Sequence, residues 1–211
     1  MLKQPDDINL WNEFRRYFTA FVVEDIKKSL QADIQVGTII LTTVGIECLG
    51  GYYTGKEADR VPFVKFMQMF MPSYAKYADG IYTCIRNGLA HDYVINEDKS
   101  TNLTFVFKGK CGEPHLSPVS ANSSVIYFNR VNYANDFLEA QNQYFEKVEN
   151  DPSLWGNAMK RLKNKKGFLT VRPLNMFVTA STEEPYPGTL AKPSDTNRST
   201  GTSIKRPDII E

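Results

Sequence analysis

A chain of 211 residues with 42% hydrophobic and 23% charged residues has the composition of a soluble globular protein with room for one substantial core. A net charge of +1 excludes a global electrostatic pull toward nucleic acid or membrane, so any basic site has to be local. Three cysteines, Cys48, Cys84 and Cys111, are odd in number and lack C-x-x-C spacing, which argues against a disulfide framework or zinc cluster and for a reducing compartment.

In chain order, Met1 to Asp7 lack the apolar stretch and cleavage site of a signal peptide, and a cytoplasmic protein is expected. Ile8, Leu10, Phe14, Tyr17, Phe18, Phe21, Val22 and Ile26 recur near the helical period and predict a first long helix over residues 8–31. A second, over 33–49, is apolar on most sides, as for a helix buried between neighbours, and Gly50-Gly51 reads as its end. Its apolar run, Val36 to Leu49, is interrupted by Thr42, Thr43 and Glu47 and is too short to span a bilayer, so no membrane association is expected. Glu47 stands out there, because a buried carboxylate needs a partner.

The stretch Gly50-Gly51-Tyr52-Tyr53-Thr54-Gly55-Lys56 nearly spells a phosphate-binding loop. Glu57 stands where the magnesium-binding hydroxyl belongs, and the preceding run reads as helix rather than strand, so it is taken as an interhelical loop. Pro62 opens a third helix to Met71, and Pro72-Ser73 separates it from a fourth over 74–93. Met67, Met69 and Met71, interleaved with Phe66 and Phe70, read as core or interface.

Beyond Asp98 the period changes. Leu103, Phe105 and Phe107 alternate with Thr104, Val106 and Lys108, Val125 to Phe128 is a second strand-like run, and glycines and prolines between them supply turns. A small antiparallel sheet or hairpin is expected. Helical spacing returns over 132–149, and Asp151-Pro152 caps and opens another helix to about Lys163. From Ser181 the chain is rich in Pro, Ser, Thr and Gly and is expected to be extended. The fold class expected is mainly α: an up-down helical bundle over 1–98, a β-hairpin and C-terminal helices packing on it over 99–166, and a tail over 167–211.

The chemistry concentrates in Arg86-Asn87-Gly88-Leu89-Ala90-His91-Asp92-Tyr93. Ile81, Cys84, Ile85, Gly88 and Leu89 make a core-facing stripe, which places the polar set on the other side of the helix. Asn87 and His91, four apart, are able to touch, whereas Arg86 and His91 lie about 140° apart on an ideal helix and need a ligand or second polypeptide to unite them. Arg86 has Glu47 or Asp92 as candidate ion-pair partners. Lys160, Arg161 and Lys163 form a local basic cluster able either to hold RNA phosphates or to complement a helix C-terminus. His115 lies among turn residues and has no assigned role.

Arg86, His91 and Tyr93, with Asn87 after the arginine, resemble the Arg-x4-His-x-Tyr signature of the HEPN superfamily, small helical proteins many of which are metal-independent ribonucleases. The lead-in from Tyr74 to Tyr82 is similar to that of bacterial members. The resemblance covers about residues 8–95 and implies a HEPN-like bundle that pairs as a homodimer with the motifs facing across a cleft. It implies endoribonuclease action without cofactor or metal, in bacterial defence, stress or a toxin-antitoxin system.

In that scheme Arg86, His91 and Asn87 are the catalytic candidates, and Tyr93, Lys160, Arg161 and Lys163 the substrate-binding ones, with Glu47 supporting Arg86. It also implies a nucleotidyltransferase antitoxin as partner, with Tyr93 the residue modified. The alternative is a noncatalytic HEPN-fold module for RNA binding or protein interaction, and residues 100–211 have no counterpart in the minimal family.

Overall fold

The computed structural model describes residues 3–91, 93–97 and 102–164. The tail expected over 167–211 lies outside the described residues.

Helix α1 (Pro5–Phe18) begins with proline at its first position and Asp6 and Asp7 in its first turn, both favourable at a helix N-terminus. It passes through a π-wound turn, Thr19–Val23, into α2 (Glu24–Gln31), so the first expected helix is a single rod with a π interruption. Asp33, in the left-handed conformation, turns the chain into α3 (Gln35–Thr54). This helix is the axis of the fold, buried on most sides against α2, α4 (Arg60–Phe70), α7 (Arg130–Asn150) and α8 (Pro152–Asn164). By length and composition alone it would cross a membrane, but 61% of its apolar window is buried inside the protein, as in a core helix.

Gly50 and Gly51 do not end α3. The helix continues for another turn and stops at Gly55, whose left-handed backbone (φ 66°) makes the cap. The two glycines are instead points of close approach. A Cβ on Gly50 would lie 2.6 Å from the Pro62 carbonyl oxygen of α4, and one on Gly51 would lie 3.1 Å from Arg161 Nε of α8.

After α4 the chain runs through a 3-10 segment (Pro72–Tyr77), the short α5 (Ala78–Gly80), a π-wound segment (Ile81–Asn87) and α6 (Gly88–His91). The fourth expected helix is thus a composite of three windings. One hydrophobic core, from Trp11 to Leu162, joins these segments to α7 and α8, with Trp11, Tyr144, Phe145 and Trp155 in edge-on ring contacts.

The sheet corrects the expected antiparallel hairpin. Strands β1 (Thr104–Lys108) and β2 (Val125–Asn129) pair in parallel, with Phe105 opposite Ile126 and Phe107 opposite Phe128. The reason lies in the connector. Its residues 116–119 take the antiparallel partner's place along β2, through Leu116 N–H to Tyr127 O, Tyr127 N–H to Ser117 O and Val119 N–H to Val125 O. The tight hairpin therefore forms between the connector and β2, and β1 pairs along the other edge of β2, in parallel.

Candidate functional site

Glu47 and Arg86 meet where α3 passes the π-wound segment. Arg86 Nε and Nη2 donate to the two carboxylate oxygens of Glu47 at 3.0 and 3.1 Å, and Nη1 donates to Asn87 Oδ1 at 3.2 Å. Such a two-point pair fixes the guanidinium plane as well as its position. The glutamate side chain is 11% exposed and the arginine 26%, so the pair sits at the edge of the core.

Burial works against the Arg86 charge, but the hydrogen bonds and field of Glu47 outweigh it, with Tyr82 and Asp59 adding, and the arginine pKa is raised. The Tyr82 ring lies under the guanidinium at 5.5 Å, a cation–π contact. Burial first, and Asp59 bonded to its hydroxyl among the lesser causes, push the Tyr82 phenol upward, while Arg86 pulls the other way. Asp59 also accepts from the Arg60 N–H at the start of α4. Sequence reading had Tyr82 only as the end of the lead-in to the motif, with no role at the site, and did not single out Asp59.

Beside the pair is a small cavity of about 50 Å³ lined by Ile40, Thr43, Val44, Ile85, Arg86, Leu89 and Ala90. Val44 is 53% exposed and Ala90 is exposed, so the arginine opens onto an apolar strip of α3 and α6. His91, the last residue of α6, is exposed. Tyr93 follows in the left-handed conformation (φ 57°) with 74% of its surface free. That turn folds the chain back over Gly88, with Val94 N–H bonding Gly88 O and Asn96 N–H bonding Cys84 O; a side chain at Gly88 would strike Val94 O. The structure thus joins Arg86, Asn87 and Glu47, and sets His91 and Tyr93 beyond them at the helix end.

The basic cluster on α8 divides. Lys160 is exposed. Arg161 is 5% exposed, paired with Glu57 at 2.8 Å and set over the Tyr52 ring, so its guanidinium braces the end of α3 rather than facing solvent. Lys163 is paired with Asp7 of α1 at 2.6 Å. A roomier cleft of about 420 Å³ lies between α1–α2 and α7, lined by Arg15, Lys27, Gln141, Glu146 and Glu149 among others. It shares no lining residue with the motif, and its cations are held internally, Arg15 by Glu149 and Lys27 by Glu24. Among the described residues no group of three His, Cys, Asp or Glu side chains is placed to hold a metal ion.

No protein-family model, curated protein or solved structure matches this chain.

Proposed function

We propose that the protein is a HEPN-like, metal-independent endoribonuclease that works as a homodimer, with Arg86, Asn87 and His91 of each copy lining a shared cleft. The observation that carries this reading is the way Arg86 is held. Three of the five guanidinium N–H groups are committed to Glu47 and Asn87, which among the described residues leaves two donors on an oriented plane, on the same segment of chain as the exposed His91 and Tyr93.

In the reaction the ribose 2′-oxygen attacks the adjacent phosphorus and the bond to the 5′-oxygen breaks, leaving a 2′,3′-cyclic phosphate and a 5′-hydroxyl. The proton leaving the 2′-hydroxyl needs a base and the departing 5′-oxygen needs an acid, roles that neutral and protonated imidazoles of two facing His91 residues fill. Arg86 neutralises the charge that builds on the phosphorane. In this reading the exposed Tyr93 and Lys160 supply base or phosphate contacts. The apolar strip around Val44 and Ala90 supplies a surface for the second copy.

The same Glu47–Arg86 pair favours a second reading. A guanidinium neutralised by a carboxylate is also what a purely structural bridge requires, and a noncatalytic RNA-binding or interaction module would keep it. In a toxin-antitoxin setting, the exposed Tyr93 hydroxyl is open to a nucleotidyltransferase.

Cleavage of a mixed-sequence RNA pool in excess chelator decides between them. Wild type is expected to leave cyclic phosphate ends, and His91→Ala, at an exposed position where folding is indifferent, to lose about 10²- to 10⁴-fold in rate. Equal cleavage by the two proteins, or none by a dimeric wild type, refutes the nuclease reading.

A further inference from the structure

Outside the motif, a second histidine is built into a chain of three hydrogen bonds. Asn129 N–H lies 2.9 Å from His115 Nδ1, His115 Nε2 lies 2.7 Å from the Tyr74 hydroxyl, and that hydroxyl donates to Asp136 Oδ2 at 2.7 Å. The direction of every bond follows from the first. A backbone N–H only donates, so Nδ1 has to be the bare nitrogen; the ring hydrogen is then on Nε2 and goes to the Tyr74 oxygen, whose own hydrogen goes to Asp136. Both imidazole nitrogens are occupied and Tyr74 is fully buried, which leaves no lone pair for a substrate. The arrangement is not a catalytic dyad.

What it holds together is a corner of the fold. Asn129 ends β2 and caps α7, its Oδ1 accepting from the Val131 and Asn132 amides, while its Nδ2 donates to the Lys110 and Glu113 carbonyls of the connector. His115 belongs to that connector, so residues 110–115 are tied to the β2–α7 corner through one imidazole and one asparagine, beside the backbone pairing of residues 116–119 with β2. Asn129 is completely buried, so its N–H has no water to turn to when the imidazole lone pair is lost.

We infer that His115 is an acid-sensitive latch: a proton on Nδ1 sets N–H against N–H at the Asn129 amide and frees the His115 end of the connector from the β2–α7 corner. This holds whether or not the protein cleaves RNA. The groups facing the imidazole define its response. The 3-10 segment presents Tyr74, α7 presents Asp136 and Tyr133, β2 presents the apolar Phe128, and the connector carries Glu113 and Lys110. Glu113 is turned to the Lys110 and Gly109 amides, which hold its carboxyl below the usual range. Burial, first, and the neighbouring Asp136 push the Tyr74 phenol far up, so it stays a donor.

Burial also lowers His115 below its ordinary value, with Asp136 opposing. The unfolded chain therefore takes up this proton first. The latch's contribution is complete above about pH 6.5 and is lost as the pH falls from there toward the folded-state value.

The chain has two histidines, so an NMR titration of the full-length protein from about pH 8 to about pH 5 follows both imidazoles, with His91→Ala assigning the signals. His115 is expected to show the Nε2–H tautomer and a midpoint below about 6.5, and the Asn129 amide to lose exchange protection, by up to about tenfold per pH unit, as the pH falls from about 6.5 to that midpoint and to level off below it. His115→Asn, whose Oδ1 replaces Nδ1 as acceptor without titrating, is expected to keep the protection across the range. Asp136→Asn, at an exposed position, is expected to move the midpoint further down. A midpoint at or above the free-imidazole value, unchanged Asn129 protection through the midpoint, or the same acid loss in His115→Asn overturns the latch. Should His115→Asn fail to fold, the wild-type titration and Asp136→Asn still decide.

Discussion

Gly50→Ala is expected to destabilise the protein by about 3 kcal/mol, although glycine-to-alanine inside a helix ordinarily stabilises by about 1 kcal/mol. The sign is set by what the new methyl meets. Its carbon would lie 2.6 Å from the Pro62 carbonyl oxygen, 2.7 Å from the carbonyl carbon and 2.9 Å from Phe63 N. These are backbone atoms of the first turn of α4, and they yield only if α3 and α4 separate along their whole contact. Phe63, Phe66 and Met67 of α4, fully buried, and Ile46 and Leu49 of α3 would lose packing together.

The matched control is Gly156→Ala in α8, also inside a helix but exposed and with nothing within 4 Å of the added carbon. That variant is expected to gain about 0.5–1 kcal/mol. Urea unfolding midpoints of the two variants should move in opposite directions. A Gly50→Ala protein as stable as wild type would mean that the α3–α4 crossing is not held at this point.

The same residue shows how much of the fold was legible. Periodicity located the helices because burial imposes it locally: most apolar positions of α1, α3, α7 and α8 are buried, with Ile8 and Val44 the exposed exceptions among the large ones. Gly50-Gly51 misled as a terminator because glycine serves two needs that look alike in a sequence, a left-handed cap and a close approach. Gly55 has the first and Gly50 the second, and only the position of α4 distinguishes them.

Alternation likewise located β1 and β2 but not their pairing. The antiparallel place on β2 was taken by Leu116, Ser117 and Val119, which lie among turn residues and carry no clear alternation. At the candidate site, the cost of an unpaired carboxylate pointed from Glu47 toward Arg86, and the pair forms across 39 residues of sequence. The helix angles used for Arg86 and His91 assumed uniform α winding, whereas Arg86 and Asn87 lie in a π segment that rotates less per residue. Tyr74, His115 and Asp136 share no local pattern, being separated by 41 and 62 positions from one another through Tyr74, and no spacing rule could have joined them.

Arg86→Ala is expected to cost about 2–4 kcal/mol of stability as well as any RNA cleavage, since it strands a carboxylate that is 11% exposed. This confounds a simple loss-of-activity experiment, and the pair itself supplies the remedy. Replacing both partners, Glu47→Gln with Arg86→Met, removes the two charges together and keeps much of the volume. The double variant is expected to return to within about 1 kcal/mol of wild type. If Arg86 acts on phosphate, that well-folded protein remains inactive on RNA.

Arg86→Lys is the complementary case: the cation is kept but the planar fork that engages both Glu47 oxygens is lost. It is expected to fold with intermediate stability and, if the protein is a ribonuclease, to cleave far more slowly than wild type, because a lysine has no fixed plane to present to the developing phosphorane. Unfolding and cleavage measured on all three variants separate the two roles of the arginine. Activity that follows stability across the series would make Arg86 a structural bridge. Activity lost in the stable double variant, and not in proportion to stability, would make it part of the reaction.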